Sequence, residues 1–213
     1  MELKLRNGEV YGGVSFEIPT PEVRYTKENG VIAIDINASP IHLAIAEVSK
    51  TGELLSYQTI SLHYLLGLSQ NSKDHQGWIL AHKIVDMAIQ RNKAIAIENL
   101  KKLKKGMRGD GKAELRRRLR NWNTKKFLQK LKRVAMLKGV EVIEVNPAYT
   151  SVVGMLKYAL QLSIDKDIAG AYVIWRRALG FKEDTPENYE KLLKDKAYLE
   201  FALKRYEERE KGT

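Results

Sequence analysis

The sequence predicts an α/β domain, a mixed sheet flanked by helices, on three observations. Val31–Asn37 and Ala94–Ile97 are apolar at successive positions, as strands covered on both faces are. Turn signals at Asn29-Gly30 and Lys50-Thr51-Gly52 divide the chain around the first of these into short extended pieces. Later segments space their apolar residues three or four apart, the period of a helix packed on one side.

Taken in order, the elements begin with a hairpin. Leu3 and Leu5 alternate with Lys4 and Arg6, Asn7-Gly8 supplies the turn, and Val10 to Ile18 returns through Val14, Phe16 and Ile18 before Pro19 and Pro21. Val31–Asn37, Ile41–Val48 and Leu54–Ile60 follow as three successive antiparallel strands. Gln76–Gln90 is expected to be helical, with Trp78, Ile79, His82, Val85 and Ile89 as its apolar stripe. Ala94–Ile97 is a further strand ending at Glu98. A long basic amphipathic helix is expected after Glu114, through Trp122, Phe127, Leu131 and Val134, closed by Gly139. Val140–Val145 is the last strand, and Ile168, Ala171, Tyr172, Trp175 and Leu179 mark the last core helix. The order β-β-β-α-β-α-β-α is that of an RNase H-like (RuvC-like) fold. Three regions result: an N-terminal β-hairpin over 1–30, the α/β domain over 31–181 and a charged helical tail over 182–213.

Composition narrows the chemistry. The 213 residues contain no run of about 18 apolar residues, and the first thirty are charged and turn-rich. Neither a membrane span nor a secretory signal is expected, which places the chain in the cytoplasm. With zero Cys there is no disulfide and no thiolate metal site, and His42, His63, His75 and His82 lack the spacing of a zinc site. A metal here would be a hard cation on oxygen ligands. The formal net charge is +11, but residues 101–138 hold sixteen Lys or Arg against Asp110 and Glu114, so the remainder is slightly acidic. One concentrated basic block repels itself unless a polyanion neutralises it, and phosphate backbones are the commonest such partner. Its bland alternative is a solvated helix face.

Three carboxylates stand out. Asp35 interrupts the apolar Val31–Asn37 run, where an unpaired charge costs several kcal/mol to desolvate. Glu98 ends the Ala94–Ile97 strand, a place from which acids are depleted. If the two strands pair in parallel, their C-terminal ends lie side by side, where α/β sheets present their sites. Asp165 and Asp167 precede Ile168-Ala-Gly-Ala-Tyr172. On a helical wheel Asp167 shares its side with Ala171, Ile174 and Ala178, which favours it as the inward acid, with Asp165 as the alternate. Each acid also has a structural alternative, Asp35 as a turn cap and the later pair as partners of a helix N-terminus. Three converging carboxylates suit Mg²⁺ or Mn²⁺, two ions about 3.5–4 Å apart, acting on a phosphodiester without a nucleophilic side chain.

The same residues carry a family resemblance. Val31-Ile-Ala-Ile-Asp-Ile-Asn37, Ala94-Ile-Ala-Ile-Glu-Asn-Leu100, the segment from Lys138 to Ser151 with its Asn-Pro-Ala-Tyr-Thr-Ser ending, and Asp165-Lys-Asp-Ile-Ala-Gly-Ala-Tyr172 resemble, in order, the split RuvC motifs of the TnpB (OrfB) transposon-associated nucleases. The resemblance covers about residues 1–181, and the opening hairpin resembles the end of the β-barrel domain that precedes the nuclease in that family. It implies Asp35, Glu98 and Asp167 in the catalytic places, Mg²⁺-dependent DNA endonuclease activity guided by RNA, kinship with type V CRISPR effectors and carriage on insertion sequences. Two departures accompany it. The family's four-Cys zinc ribbon is replaced by the thirteen residues Val152–Ile164, so no zinc is expected. The guide- and target-binding part that precedes the nuclease in the family is expected to be absent or to lie on another polypeptide. Ala169 also stands where relatives often have Asn.

For nucleic-acid binding the expected residues are Lys101, Lys102, Lys104 and Lys105 after Glu98, and Arg116, Arg117, Arg118, Arg120, Trp122, Lys125 and Lys126 in the basic helix. Cations there would grip phosphates, with Trp122 and Phe127 either stacking bases or facing the core. Two other functions fit the same residues: a stand-alone RuvC or RNase H-like nuclease acting on junctions or hybrids, and a nucleic-acid-binding protein that does not cut.

Overall fold

The computed structural model describes residues 2–38, 41–99 and 124–182, leaving aside the side chains of Arg6 and Ala38. Hairpin strands β1 (Glu2–Arg6) and β2 (Glu9–Gly13) pair with each other and, among the described residues, with no other strand, and the side chains described there are exposed. The return arm stops at Gly13 rather than Ile18, because Gly13 already faces Glu2 and β1 offers no further partner. Alternating Val14, Phe16 and Ile18 therefore remain exposed and outside any strand.

The main sheet has five strands: β3 (Val31–Ala38), β4 (Ile41–Val48), β5 (Leu54–Ser61), β6 (Ala94–Glu98) and β7 (Val142–Val145), in the spatial order β5-β4-β3-β6-β7. Its first three strands run antiparallel, and β6 and β7 add in parallel beside β3. This mixed sheet with helices on both faces is the expected RNase H-like fold. The last strand starts at Val142 rather than Val140, since Val140 instead bridges Tyr25, and Arg24 and Tyr25 donate backbone hydrogen bonds to the Gly139 carbonyl.

Alternation along the strands sorts the two faces. Ile32 and Ile34 of β3, Ile41, Leu43 and Ile45 of β4, and Ile95 and Ile97 of β6 meet helices α1 (Gln70–Gln90) and α2 (Thr124–Leu137). On that face α1 presents Leu80, Ala81, Ile84, Val85 and Ala88, whereas Ile79 and His82 of the expected stripe are exposed. Helix α1 also starts six residues before the predicted Gln76. Ser69 caps it by accepting from the Ser72 amide, and the first two turns are polar, so they carry no apolar period. Phe127 of α2 is buried in this core. The remainder of the expected basic helix, residues 100–123, and the tail beyond residue 182 lie outside the described residues.

The other face is built from small residues: Ala33, Ala44, Ala46, Ala94 and Ala96. Helix α4 (Lys166–Ala178) lies across them with Ala169, Ala171, Ile174, Trp175 and Ala178 inward. Between β7 and α4 the sequence predicts no element, but Thr150–Leu162 forms one helical run, α3, composed of α-helical Thr150–Val153, π-helical Gly154–Ala159 and α-helical Leu160–Leu162. The π segment breaks the 3.6-residue period that would reveal a helix.

Helices α3 and α4 approach closely at two glycines. A Cβ on Gly154 would stand 2.6 Å from the Gly170 nitrogen and 2.7 Å from the Ala169 carbonyl carbon, both backbone atoms that cannot rotate away. Gly154→Ala is expected to destabilise the fold by roughly 1–3 kcal/mol through this overpacking. Urea unfolding measures it, and an unchanged midpoint would contradict the close approach.

Candidate active site

The face alternation that sorts the core also gathers the polar residues. On β3, Asp35 and Asn37 share the side of Val31 and Ala33, on β4 His42 shares that of Ala44 and Ala46, and on β6 Glu98 shares that of Ala94 and Ala96. All four therefore face the α3 and α4 side. In register, Ile34 of β3 lies beside Ile97 of β6, so Asp35 and Glu98 are neighbours just past that pair at the strands' C-terminal ends. Asn37 pairs across β3 and β4 with His42, and Asp35 with Ala44.

Asp35 is buried beneath α4, and a Cβ on Gly170 would stand only 2.7 Å from its Oδ2. Its pKa is pushed from the ordinary 3.8 to about 8, first by burial and then by the nearby charges of Glu98 and Asp167. The Asn37 side chain and His42 pull the other way. Asn37 Nδ2 lies close enough to favour the charged form, yet it is buried without a fully formed hydrogen bond. Lys93, buried at the opposite end of the same strands, makes a useful contrast. Its Nζ donates to the carbonyls of Asn29 at 2.8 Å and Val48 at 3.3 Å, with Glu47 3.9 Å away. Among the described residues no Lys or Arg does the equivalent for Asp35.

The other two acids each have a side-chain partner, Thr150 for Glu98 and His42 for Asp167. Burial raises the pKa of Glu98, while a hydrogen bond from Thr150 and the charge of Arg177 lower it. Thr150 is itself buried at the start of α3, and its Oγ1 reaches both Glu98 Oε1 and the Pro147 carbonyl, so its single proton serves two acceptors. The turn before it is tight. Asn146 Oδ1 accepts from the Ala148 amide at 3.1 Å, and Tyr149 adopts a left-handed φ of 62°, an uncommon conformation for an aromatic residue. Asp167, half-buried in the first turn of α4, has Oδ2 2.9 Å from His42 Nε2. Asp165 is exposed and caps α4, accepting from the Asp167 amide at 2.8 Å.

The structure thus brings Asp35, Glu98 and Asp167 into one electrostatic neighbourhood and leaves Asp165 at the helix end. The donor chemistry, three carboxylates and no thiolate, fits a hard divalent cation, and burial beside two other acids, which raises the Asp35 pKa, is the setting that such a cation would relieve. Among the described residues, however, no group of three or more His, Asp and Glu side chains is drawn together tightly enough to hold an ion as it stands. Uncompensated carboxylates repel one another, and two of them rest on Thr150 and His42 instead.

Sequence reasoning did not single out Thr150, His42 or Asn37. The signal for His42 was the alternation Ile41, Leu43, Ile45 against His42, Ala44, Ala46, which places it on the face of Asp35. Of the expected nucleic-acid contacts, Lys101, Lys102, Lys104, Lys105, Arg116, Arg117, Arg118, Arg120 and Trp122 lie outside the described residues, while Lys125 and Lys126 are exposed in the first turn of α2. No helix among the described residues is long and apolar enough to cross a membrane.

No protein-family profile matches the chain. No curated protein sequence matches it either. Among solved structures it is similar to Thermus thermophilus RuvC in complex with a Holliday junction substrate, at 16% identity over 70% of this chain and 96% of that one, with a TM-score of 0.44. The same organism's RuvC in a second structure aligns at 15% identity over 68% and 90%, TM-score 0.44. Cas12f1 in its complex with sgRNA and target DNA aligns at 17% identity over 76% of this chain and 52% of that one, TM-score 0.47. At these values the likeness carries no argument about function, which rests on the residues themselves.

The Asp35 environment has a stability signature. Because its folded-state pKa near 8 exceeds the ordinary 3.8, the native protein keeps a proton that the unfolded chain releases. The associated stability is present below pH 3.8 and declines as pH rises towards 8. In EDTA, Asp35→Asn should flatten that decline and unfold at a higher temperature than wild type at pH 8. Parallel pH profiles for the two proteins would show that Asp35 ionises normally.

Proposed function

We propose that this chain is a RuvC-like nuclease core that hydrolyses DNA phosphodiesters with Mg²⁺ or Mn²⁺ bound by Asp35, Glu98 and Asp167. The observation that carries it is Asp35: a buried carboxyl on the central strand, beside two other acids, with a pKa of about 8. A protein with no use for the charge would place an apolar residue there. Two divalent ions in such a site activate the attacking water and stabilise the leaving oxygen. The chain itself supplies oxygen donors from three separate elements, Asp35 on β3, Glu98 on β6 and Asp167 on α4, which would together hold the ions. Because a carboxylate ligand must be deprotonated, a cation held by Asp35 would compete with the proton that burial and the neighbouring acids favour there. Thr150 steadies the Glu98 carboxylate at the strand end.

The motif order supports a place in the TnpB family, and with it a role on an insertion sequence and RNA guidance. The basic block over 101–138 suits the phosphate backbone of DNA or guide RNA. A second reading, a stand-alone nuclease acting on junctions or hybrids, is favoured by α3, which fills with helix the place where the family keeps a zinc ribbon.

Labelled single-stranded, duplex, junction and hybrid substrates incubated with the protein and Mg²⁺ test both. Cleavage of a DNA substrate should require Mg²⁺ and vanish in EDTA. Glu98→Gln should slow it at least about 100-fold, corresponding to several kcal/mol of lost charge stabilisation. Cutting by Glu98→Gln at the wild-type rate would assign the activity to another site or a contaminant, and preference for the junction would favour the second reading.

A further inference from the structure

His42 is a buried imidazole on the inner face of the sheet whose Nε2 meets the one acid that the helix does not need for its own capping. Asp165 already serves the N-terminus of α4, so the inward rotation of Asp167 onto β4 has no helical explanation. The two partners differ in rigidity. His42 sits in an eight-residue strand with neighbours on both sides, whereas Asp167 stands in the first turn of a helix, where side chains are less confined. Their 2.9 Å separation is that of a charge-assisted hydrogen bond. Across β3, Asn37 is the direct neighbour of His42, and Asp35 lies two residues back on the same face, so the contact occurs at the edge of the acid cluster.

We infer that His42 is the positioning residue of the third acid: its Nε2–H donates to Asp167 Oδ2 and orients that carboxylate, which with Asp35 and Glu98 would hold the divalent cation. This rests on the metal-centre reading above. The imidazole touches neither substrate nor cation. It acts through Asp167, as outer hydrogen-bond partners of metal-binding side chains do, and such partners are worth about 10–100-fold in metal affinity. An apolar residue at position 42 would fill the same space and leave the Asp167 carboxylate to rotate. Gln, whose amide Nε2 is also a donor, would retain the contact.

Mn²⁺ binding by the full chain, followed by electron paramagnetic resonance without any substrate, tests this. His42→Ala should weaken binding about 10–100-fold, and His42→Gln should restore most of it. Undiminished or tighter binding by His42→Ala would overturn the inference, because His42 would then be irrelevant or a competitor of the ion. Equal weakening in both variants would overturn it too, by assigning His42 to packing alone. A second measurement needs no variant: the ¹⁵N imidazole signals of wild type should show a protonated Nε2 that persists when Mg²⁺ is added, and its loss on Mg²⁺ addition would again make His42 a competitor. Absence of Mn²⁺ binding by wild type would defeat the metal-centre reading and this inference with it, whereas wild-type binding that His42→Ala leaves untouched defeats this inference alone.

Discussion

One buried carboxylate, Asp35, sets the terms for this half of the molecule. A charge in the middle of a sheet is tolerated only with a partner, and the chain knows how to provide one. At the other end of the same strands Lys93 is surrounded by carbonyl oxygens and a glutamate. Around Asp35 the neighbours are instead two further acids, which makes the conflict worse. Without an external cation the cheapest resolution is a proton. The rest of the inner face, its alanines and helix α4, is packed around this group of acids.

Packing on that face follows from the same requirement. To bring an acid from α4 near one on β3, the helix must lie close to the sheet, and alanines on β3, β4 and β6 permit it. Gly170 removes the last obstacle above Asp35, and Gly154 lets α3 press against α4 from the far side. The opposite face, with no polar site to host, uses isoleucine and leucine in the corresponding rows and takes up the larger helices α1 and α2. Small residues on one side and large ones on the other are thus a division between a site and a core.

Much of this was legible in the sequence because each element announced itself by period. Strands β3 and β6 are two-sided apolar runs, and Asp35 and Glu98 are conspicuous where such runs should contain no charge. Other elements were hidden for identifiable reasons. The start of α1 is polar through two turns and shows no stripe, and α3 changes helical pitch at Gly154–Ala159, so its buried Val153, Met155, Tyr158 and Ala159 follow no single spacing. Conversely, Val14, Phe16 and Ile18 alternate like a strand, but β1 is too short to pair with them. In the site, acids were easier to find than their supports. Thr150 and His42 are ordinary residues in a turn and a strand, and what they do depends on Glu98 and Asp167, which lie 52 and 125 positions away in the chain.

The central claim is that three acids distant in sequence serve one divalent-metal centre. Anomalous diffraction from crystals soaked in Mn²⁺ addresses it directly. The account predicts a peak at the C-terminal end of β3 and β6, within coordination distance of carboxylate oxygens from Asp35, Glu98 and Asp167. Peaks confined to surface acids, with Glu98 still resting on Thr150, Asp167 on His42 and no ion between the three acids, would contradict it.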